Sequence, residues 1–408
     1  MKAESTQARA SFQALLREYL FMGQSLGQYL RSLVTPWNAL AAVILGIGIP
    51  VAVLRFTQGL AATTNLSDDN PWGLWIGVDV LAGVALAAGG YTMAGAFHVL
   101  GMKEYKPLVR PAILTGFLGY LFVVVGLLFD LGRPWRLPYP MFVSMGLTSV
   151  MFLVAWHVAL YLSCQFVEFC PAIFEWLNLR RLRQWAEKLA VGATIAGVTM
   201  STLHQSALGA VFLIAPGKLH PLWYSPLIPL LFFISSIAAG ISMVIVESTL
   251  SHRAFARQIG RGHAARLDDL YLGLGKAASV VLFAYFWLKI TGVAAENAWS
   301  YLDTGPGYWF MVEIGLFVLL PCCLYLLAAR QRSIRLVRLT ALLTVVGVVV
   351  NRLNVSIIAF NWQNHTYVPR WTEVVITITI VTLGILTFRW MVNRMPVLRE
   401  HPAYQAED

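Results

Sequence analysis

Within stretches apolar enough to face lipid, this chain carries a small set of side chains that can hold protons or charge. The clearest lies in VTMSTLHQSALGAV, where His204 and Gln205 are flanked by Ser201, Thr202 and Ser206. Asp79, Asp130, Glu247, Glu313 and Glu373 supply carboxylates, and His98 and His157 supply imidazoles. Lys276, Lys289 and Arg352 add cations, Asn351 an amide and Tyr91 a phenol. Ionisable groups at membrane depth are costly and by default mark a site or a pathway. Proton transfer is the chemistry these types share, because hops require groups or waters in series. Each residue also has a structural reading. Arg352 can pair with Glu373 or Glu313, Asp79 can sit solvated at the interface, and His157 can be a hydrogen-bonded packing residue. Glu247 can snorkel to water. The whole set can act as polar contacts between helices.

The elements that must position these groups follow from composition. Of 408 residues, 58% are apolar and 12% charged, about half the charge of a soluble domain. Apolar runs near the ~20 residues needed to cross a bilayer recur along the chain. They predict ten spans, at 36–59, 75–100, 108–130, 140–164, 188–215, 225–248, 270–291, 308–328, 338–359 and 372–391. The fold class is an all-α polytopic membrane protein. Residues 1–35 form an N-terminal segment, 36–391 the ten-helix membrane domain and 392–408 a tail. In SFQALLREYLFMGQSLGQYLRSL, Phe12, Leu15, Leu16, Tyr19 and Leu20 recur at helical spacing, predicting an amphipathic helix lying at the interface.

Loop charge gives an orientation. With the N-terminus inside, the cytoplasmic segments hold 22 of the 30 basic residues; the opposite loops hold only Arg133, Arg136, Lys218 and Arg370. This split predicts that both termini are cytoplasmic. The same map sets depth. Asp79, Asp130, Lys289, Glu313, Asn351, Arg352 and Glu373 fall in the outer layer. Tyr91, His204 and Gln205 fall in the middle, and His98, His157, Glu247 and Lys276 towards the cytoplasm. His204, about 16 residues into its span, would be roughly 24 Å from the inner end at 1.5 Å per residue.

The net charge of +10 is spread over short inter-span clusters, with no soluble domain left to bind nucleic acid. Cys164, Cys170, Cys322 and Cys323 do not form a C-x-x-C pattern, so no iron–sulfur cluster or other metal site is expected in this chain. Haem b needs two imidazoles at equal depth on facing helices. His98 and His157 offer one such pair, His204 has no partner at its depth, and no haem is expected. The small residues around Tyr91 in VLAGVALAAGGYTMAGAF allow close helix packing; they also leave room for a flat ring.

Several segments together resemble the NrfD-like, or polysulfide reductase membrane-subunit, family, most of all its ten-span branch serving Hyb-type periplasmic nickel–iron hydrogenases. They are PWGLWIGVDVLAGVALAAGGY, RPAILTGFLGY, LFDLGRPWRLPYP, STLHQSALGAVFLIAP, LHPLWYSPLIPLLFFISSI and NRLNVS. The resemblance implies a quinone-reactive subunit of a respiratory complex in the bacterial cytoplasmic membrane. A periplasmic iron–sulfur subunit would pass it electrons from a catalytic pair, with menaquinone or ubiquinone as bound substrate. Asp130, opening DLGRPWR, looks like the acidic quinone-site residue, and Tyr91 matches a tyrosine of quinone binding or proton delivery. His204 and Glu247 match positions on a proton path, to which His98 is added from its depth. Asp79 joins the quinone site by the depth argument, and Arg352 is expected nearby. An ion-coupled secondary transporter and a passive anchor of a redox complex remain the alternatives.

Overall fold

In a computed structural model, which describes residues 16–256, 261–363 and 367–398, ten helices are long and apolar enough to cross a membrane. They are α1 (Pro36–Gln58), α2 (Trp75–Val99), α3 (Lys103–Asp130), α4 (Val150–Trp176) and α5 (Arg180–Ile214). Then follow α6 (Ile228–Ala254), α7 (Leu267–Ala295), α8 (Gly305–Gln331), α9 (Ile334–Ile358) and α10 (Trp371–Arg394). Local sequence explains several ends. Thr35 caps α1 by accepting the Asn38 amide at 3.2 Å, with Pro36 in the first turn, where its missing N–H costs nothing. Gly59 ends α1 at φ +86°, a conformation that only glycine adopts cheaply.

Most ends fall within a few residues of expectation, but α4 does not. The 140–164 run was expected to form this span, whereas the helix covers Val150–Trp176. Pro138, Pro140 and Gly146 break the run 137–149, leaving one helical turn at Tyr139–Phe142. Phe142, Val143 and Leu147 of this stretch are exposed. Ser149 then starts the span by accepting the Phe152 amide. At the other end, Glu168 and Glu175 read as polar loop residues, yet both are buried within α4. Glu175 is held there by Arg110 at 3.0 Å and Arg183 at 3.7 Å. α5 likewise begins at Arg180 rather than near residue 188.

The expected N-terminal helix falls partly on residues 1–15, which lie outside the described residues, as does the tail from residue 399. Within the described part, Leu26–Ser32 is a helix without buried residues, started by a Ser25–Gln28 capping box. Arg394, at the end of α10, donates to the Leu20 carbonyl and the Tyr29 hydroxyl. The two ends of the membrane domain therefore meet on one face, called proximal below; the opposite face is distal.

Helices α2–α5 form one four-helix bundle and α6–α9 a second. α6 packs on α2 and α5, α9 on α2, and the pair α1–α10 lies against α3. The seam is tight. A Cβ added at Gly240 of α6 would stand 2.6 Å from the backbone of Ala88 and Gly89 in α2.

Candidate functional site

Three groups of buried polar side chains lie among these helices. The first is at the distal end of α3, where Asp130 closes the helix. Arg55, 2% exposed on α1, donates to the carbonyls of Phe129 and Leu131, both at 2.7 Å. These carbonyls belong to a helix end without intrahelical partners. Asp130 lies within electrostatic reach of Arg55, Asp79 and Glu373, and its buried Oδ1 has no hydrogen-bond partner among the described residues. Asp79 packs on Gly126 of α3, where a Cβ would come within 2.8 Å of its own Cβ. It accepts from Thr377 of α10 at 2.9 Å. Asp79 sits in a π-helical stretch, Trp75–Ala82, a wide turn that recurs at functional sites.

Glu373, 1% exposed, does not pair with Arg352. Its carboxylate accepts the amides of Asn65 and Arg370, each at 3.0 Å, and the Tyr367 hydroxyl. Burial, reinforced by that hydrogen bond, raises the Tyr367 pKa well above the ordinary tyrosine value. The expectation that Asp79 and Asp130 share a depth is met; they share a cluster.

The second group lies in the α6–α9 bundle. Glu313 accepts from Asn351 at 2.6 Å, Asn354 at 2.5 Å and the Trp223 indole at 2.8 Å. Lys289 is 3% exposed, near Glu313, with its ammonium over the Phe310 ring. Arg352 donates to Asn351 at 2.8 Å and Ser235 at 2.8 Å, and covers the Phe232 ring at 3.8 Å. A small cavity beside Glu313, Tyr285 and Asn351 is lined at its apolar end by Phe317 and Val348. Arg352 therefore does not join Asp130 as expected. Gly77 of α2 faces Ser356 and Leu353 of α9, whereas Asp79 on the same helix faces α3 and α10. α2 stands between the two groups.

The third group fills the α2–α5 bundle. Tyr91 shares a hydrogen bond with Ser236 of α6 at 3.1 Å. Its ring stands edge-on to Tyr161, which contacts Tyr120 at 4.5 Å. Tyr120 packs on His204 at 5.7 Å. Gln205 donates to the Val84 carbonyl at 3.1 Å and to Tyr120 at 3.4 Å, and Ser201 lies between the Tyr120 and Tyr161 hydroxyls. Gln165 donates to Tyr161 at 3.0 Å. Both ring nitrogens of His204 and the amide oxygens of Gln165 and Gln205 are buried without a well-formed protein partner among the described residues.

Depths shift accordingly. With α4 beginning at Val150, His157 is near its distal end rather than in the proximal layer. It stands within electrostatic reach of His204, so His204 does have a histidine at its depth. His98 and Lys276 are exposed, and His98 stands edge-on to Phe97. Glu247 is buried, accepts from Ser251 at 2.6 Å and is near Tyr271 of α7. Tyr91 is 12 residues from Asp79, about 18 Å along α2, and belongs with the third group. Glu168, Gln165, Tyr120, Tyr161 and Arg55 carried no role in the sequence reading. For Glu168 the available signal was the long apolar flank on both sides, hidden by the misplaced span.

The sequence model for "Polysulphide reductase, NrfD" matches residues 62–362. The chain belongs to the NrfD family. Among similar proteins, one from Nitratidesulfovibrio vulgaris is 51% identical over 92% of this chain and 97% of its own length. The "Probable Ni/Fe-hydrogenase 2 b-type cytochrome subunit" of Escherichia coli is 31% identical, over 85% of this chain and 88% of that one. The "Menaquinone reductase, integral membrane subunit" of N. vulgaris is 25% identical, over 88% and 91%. This NrfD-family chain is thus a multi-pass membrane protein, and its relatives include membrane subunits of quinone-linked oxidoreductase complexes.

Proposed function

We propose that this chain is the quinone-reactive membrane subunit of an oxidoreductase whose other subunits lie outside the bacterial cytoplasmic membrane. Electrons arrive at the distal face from an iron–sulfur partner, itself served by a catalytic pair of the nickel–iron hydrogenase kind. They reduce menaquinone or ubiquinone beside Asp130 and Asp79. The two protons that reduction consumes come through the α2–α5 bundle from the cytoplasmic, proximal side, so turnover moves charge across the membrane. The likeness to a menaquinone reductase subunit and to a hydrogenase subunit supports the chemistry.

The observation that carries this reading is the distal carboxylate pair. Asp130 keeps one buried oxygen uncommitted, Asp79 stands beside it, and Arg55 supplies the nearby positive charge. Two carboxylates in one low-dielectric pocket are suited to take up and hand over a single proton. The Tyr120 side of the polar column ends six residues from Gly126 along α3, about 9 Å, a gap on the scale of a quinone ring.

The E. coli relative's name includes a b-type cytochrome, and the described histidines do not fit a haem. His157 and His204 come nearest, but α4 and α5 pack directly on each other. His220 is enclosed by Trp223, Tyr301 and Trp362, His252 bonds to Ser248, and His98 is exposed.

The test is Asp130→Asn in the intact complex, which keeps shape and removes the proton. Quinone reduction is expected to fall by about 10²-fold or more, while dye reduction by the catalytic partner and subunit assembly are unchanged. Wild-type quinone turnover in an assembled variant refutes the assignment, and a quinone-independent complex would leave only an anchor.

A further inference from the structure

If protons reach the α2–α5 bundle from the proximal face, a carboxylate must take them from water there. Glu247, the carboxylate assigned to that step from sequence, is badly connected. It lies 11 residues from Ser236, the hydroxyl that meets Tyr91, or about 16 Å along α6. Between them the Gly240 backbone is pressed against the backbone of Ala88 and Gly89 of α2, and the Val244 side chain lies against Gly89. The hydroxyl in that interval, Ser242, is committed to Tyr325 of α8 at 2.9 Å rather than to α2.

α4 offers an alternative stripe of buried polar groups. Tyr161, Glu168 and Glu175 recur every seven residues, so they form one stripe along the helix, and all three are buried. Glu175 marks the proximal end, paired with Arg110 and Arg183, whose side chains reach the surface. Glu168 is the next carboxylate inward, 9% exposed, accepting from Thr194 of α5 at 2.6 Å. Its electrostatic reach extends to Tyr161. Gln165 fills the interval. Its amide bonds Tyr161 at 3.0 Å, and its oxygen has no partner among the described residues. Space for this amide comes from two facing glycines. A Cβ at Gly116 would come within 2.5 Å of the Gln165 nitrogen, and one at Gly90 within 3.1 Å. From Tyr161 the contacts run to Tyr120, Ser201 and His204.

We infer that Glu168 is the proximal proton-loading carboxylate of this chain, feeding the tyrosine–histidine column through Gln165, and that Glu247 is not on the route. In each cycle the Glu168 carboxyl gives its O–H proton inward and the resulting carboxylate takes one from proximal water. The electrons stay with the quinone. This rests on the proposed quinone chemistry of the distal site.

The test uses the whole complex in proteoliposomes, reading quinone reduction, charge movement and the redox-induced infrared difference spectrum. Glu168→Gln and Gln165→Leu are expected to lower charge moved per unit time by at least about tenfold. Glu168→Asp restores most of it, and Glu247→Gln stays within about twofold of wild type. An assembled Glu168→Gln complex that moves charge at the wild-type rate overturns the inference, as does loss confined to Glu247→Gln. Should wild type reduce quinone without moving charge, the transmembrane reading fails on its own, and the spectrum decides Glu168. A redox-linked carboxyl band that vanishes in Glu168→Gln supports it as a proton carrier; an unchanged spectrum overturns it.

Discussion

Removing Arg55 separates two roles that the distal site assigns to one side chain. Its guanidinium caps the end of α3 through two carbonyls at 2.7 Å, and it also supplies positive charge near Asp130. Hydrogen bonds from a charged donor contribute about 1.5–3 kcal/mol each. Losing both in Arg55→Met therefore costs about 3–6 kcal/mol, part of it recovered because the buried charge no longer needs desolvating. A net loss of about 3 kcal/mol is expected. Arg55→Lys keeps the charge but lacks the planar fork that spans two carbonyls, so it loses one bond, about 1.5–3 kcal/mol. The assay is detergent-titration unfolding of the subunit in mixed micelles, repeated in the Asp130→Asn background. If the carbonyl cap dominates stability, the Arg55→Met cost is the same in both backgrounds to within about 0.5 kcal/mol. Quinone turnover, in contrast, should respond to Arg55 only while Asp130 is present. A lysine variant as stable as wild type, or a cost that disappears with Asp130→Asn, refutes the cap.

Two further outcomes test the frame around the site. His220 lies outside the spans, 1% exposed, with Nδ1 accepting the Leu222 amide at 3.2 Å, and burial lowers its pKa to about 4. Because the folded value is below the unfolded one, the unfolded chain binds the extra proton. Stability is level above about pH 6.5, declines from there to about pH 4, and loses up to about 3 kcal/mol in all. His220→Asn keeps an acceptor for Leu222 and should flatten this slope in unfolding measured across that range; an unaltered slope assigns it to other groups. Gly240→Ala forces a Cβ into the α2 backbone and should cost at least about 1–3 kcal/mol. Gly192→Ala, with nothing within 4 Å, should be neutral within about 0.5 kcal/mol. Equal stabilities for the two variants would show that the seam can open freely.

Span number was legible because each helix carries its own run of apolar residues, and lipid demands that the run be near 20 residues long. The pairing of Asp79 with Asp130 was legible for a related reason, since antiparallel neighbours joined by a short turn convert sequence position into depth. Lateral position was not. Arg352 and Asp130 share a layer, but which side of α2 each occupies depends on rotation and packing, settled here by Gly77 against Ser356 and Gly126 against Asp79. The α4 error had a different cause. The apolar stretch YPMFVSMGL looks like membrane by hydropathy, yet Pro140 and Gly146 break it into loop. Glu168 looks like loop by charge, yet Thr194 gives it a partner inside. Hydropathy averages over a window, whereas prolines, caps and buried hydrogen bonds act at single residues.

The two bundles differ in how densely their buried polar groups are bonded, and that difference bears on mechanism. In α6–α9 the Glu313 carboxylate has three donors within 2.8 Å, and Asn351 and Asn354 tie it to Arg352 and Trp309. Such a network is costly to disturb and holds helices in one arrangement. In α2–α5, by contrast, four buried ring and amide atoms of His204, Gln165 and Gln205 lack a well-formed partner among the described residues. A buried polar atom with neither protein nor water as partner costs about 1–3 kcal/mol, which an apolar substitution at such a position would recover. Donors and acceptors not committed to one partner are what a chain of proton hops requires, because each group must release one bond to form the next. The densely bonded Glu313 centre is suited to holding the fold, and the sparsely bonded column to moving protons. On this argument His204→Leu should raise the stability of the subunit while abolishing charge movement, measured by unfolding and in proteoliposomes. A loss of both together would mean that the column is structural after all.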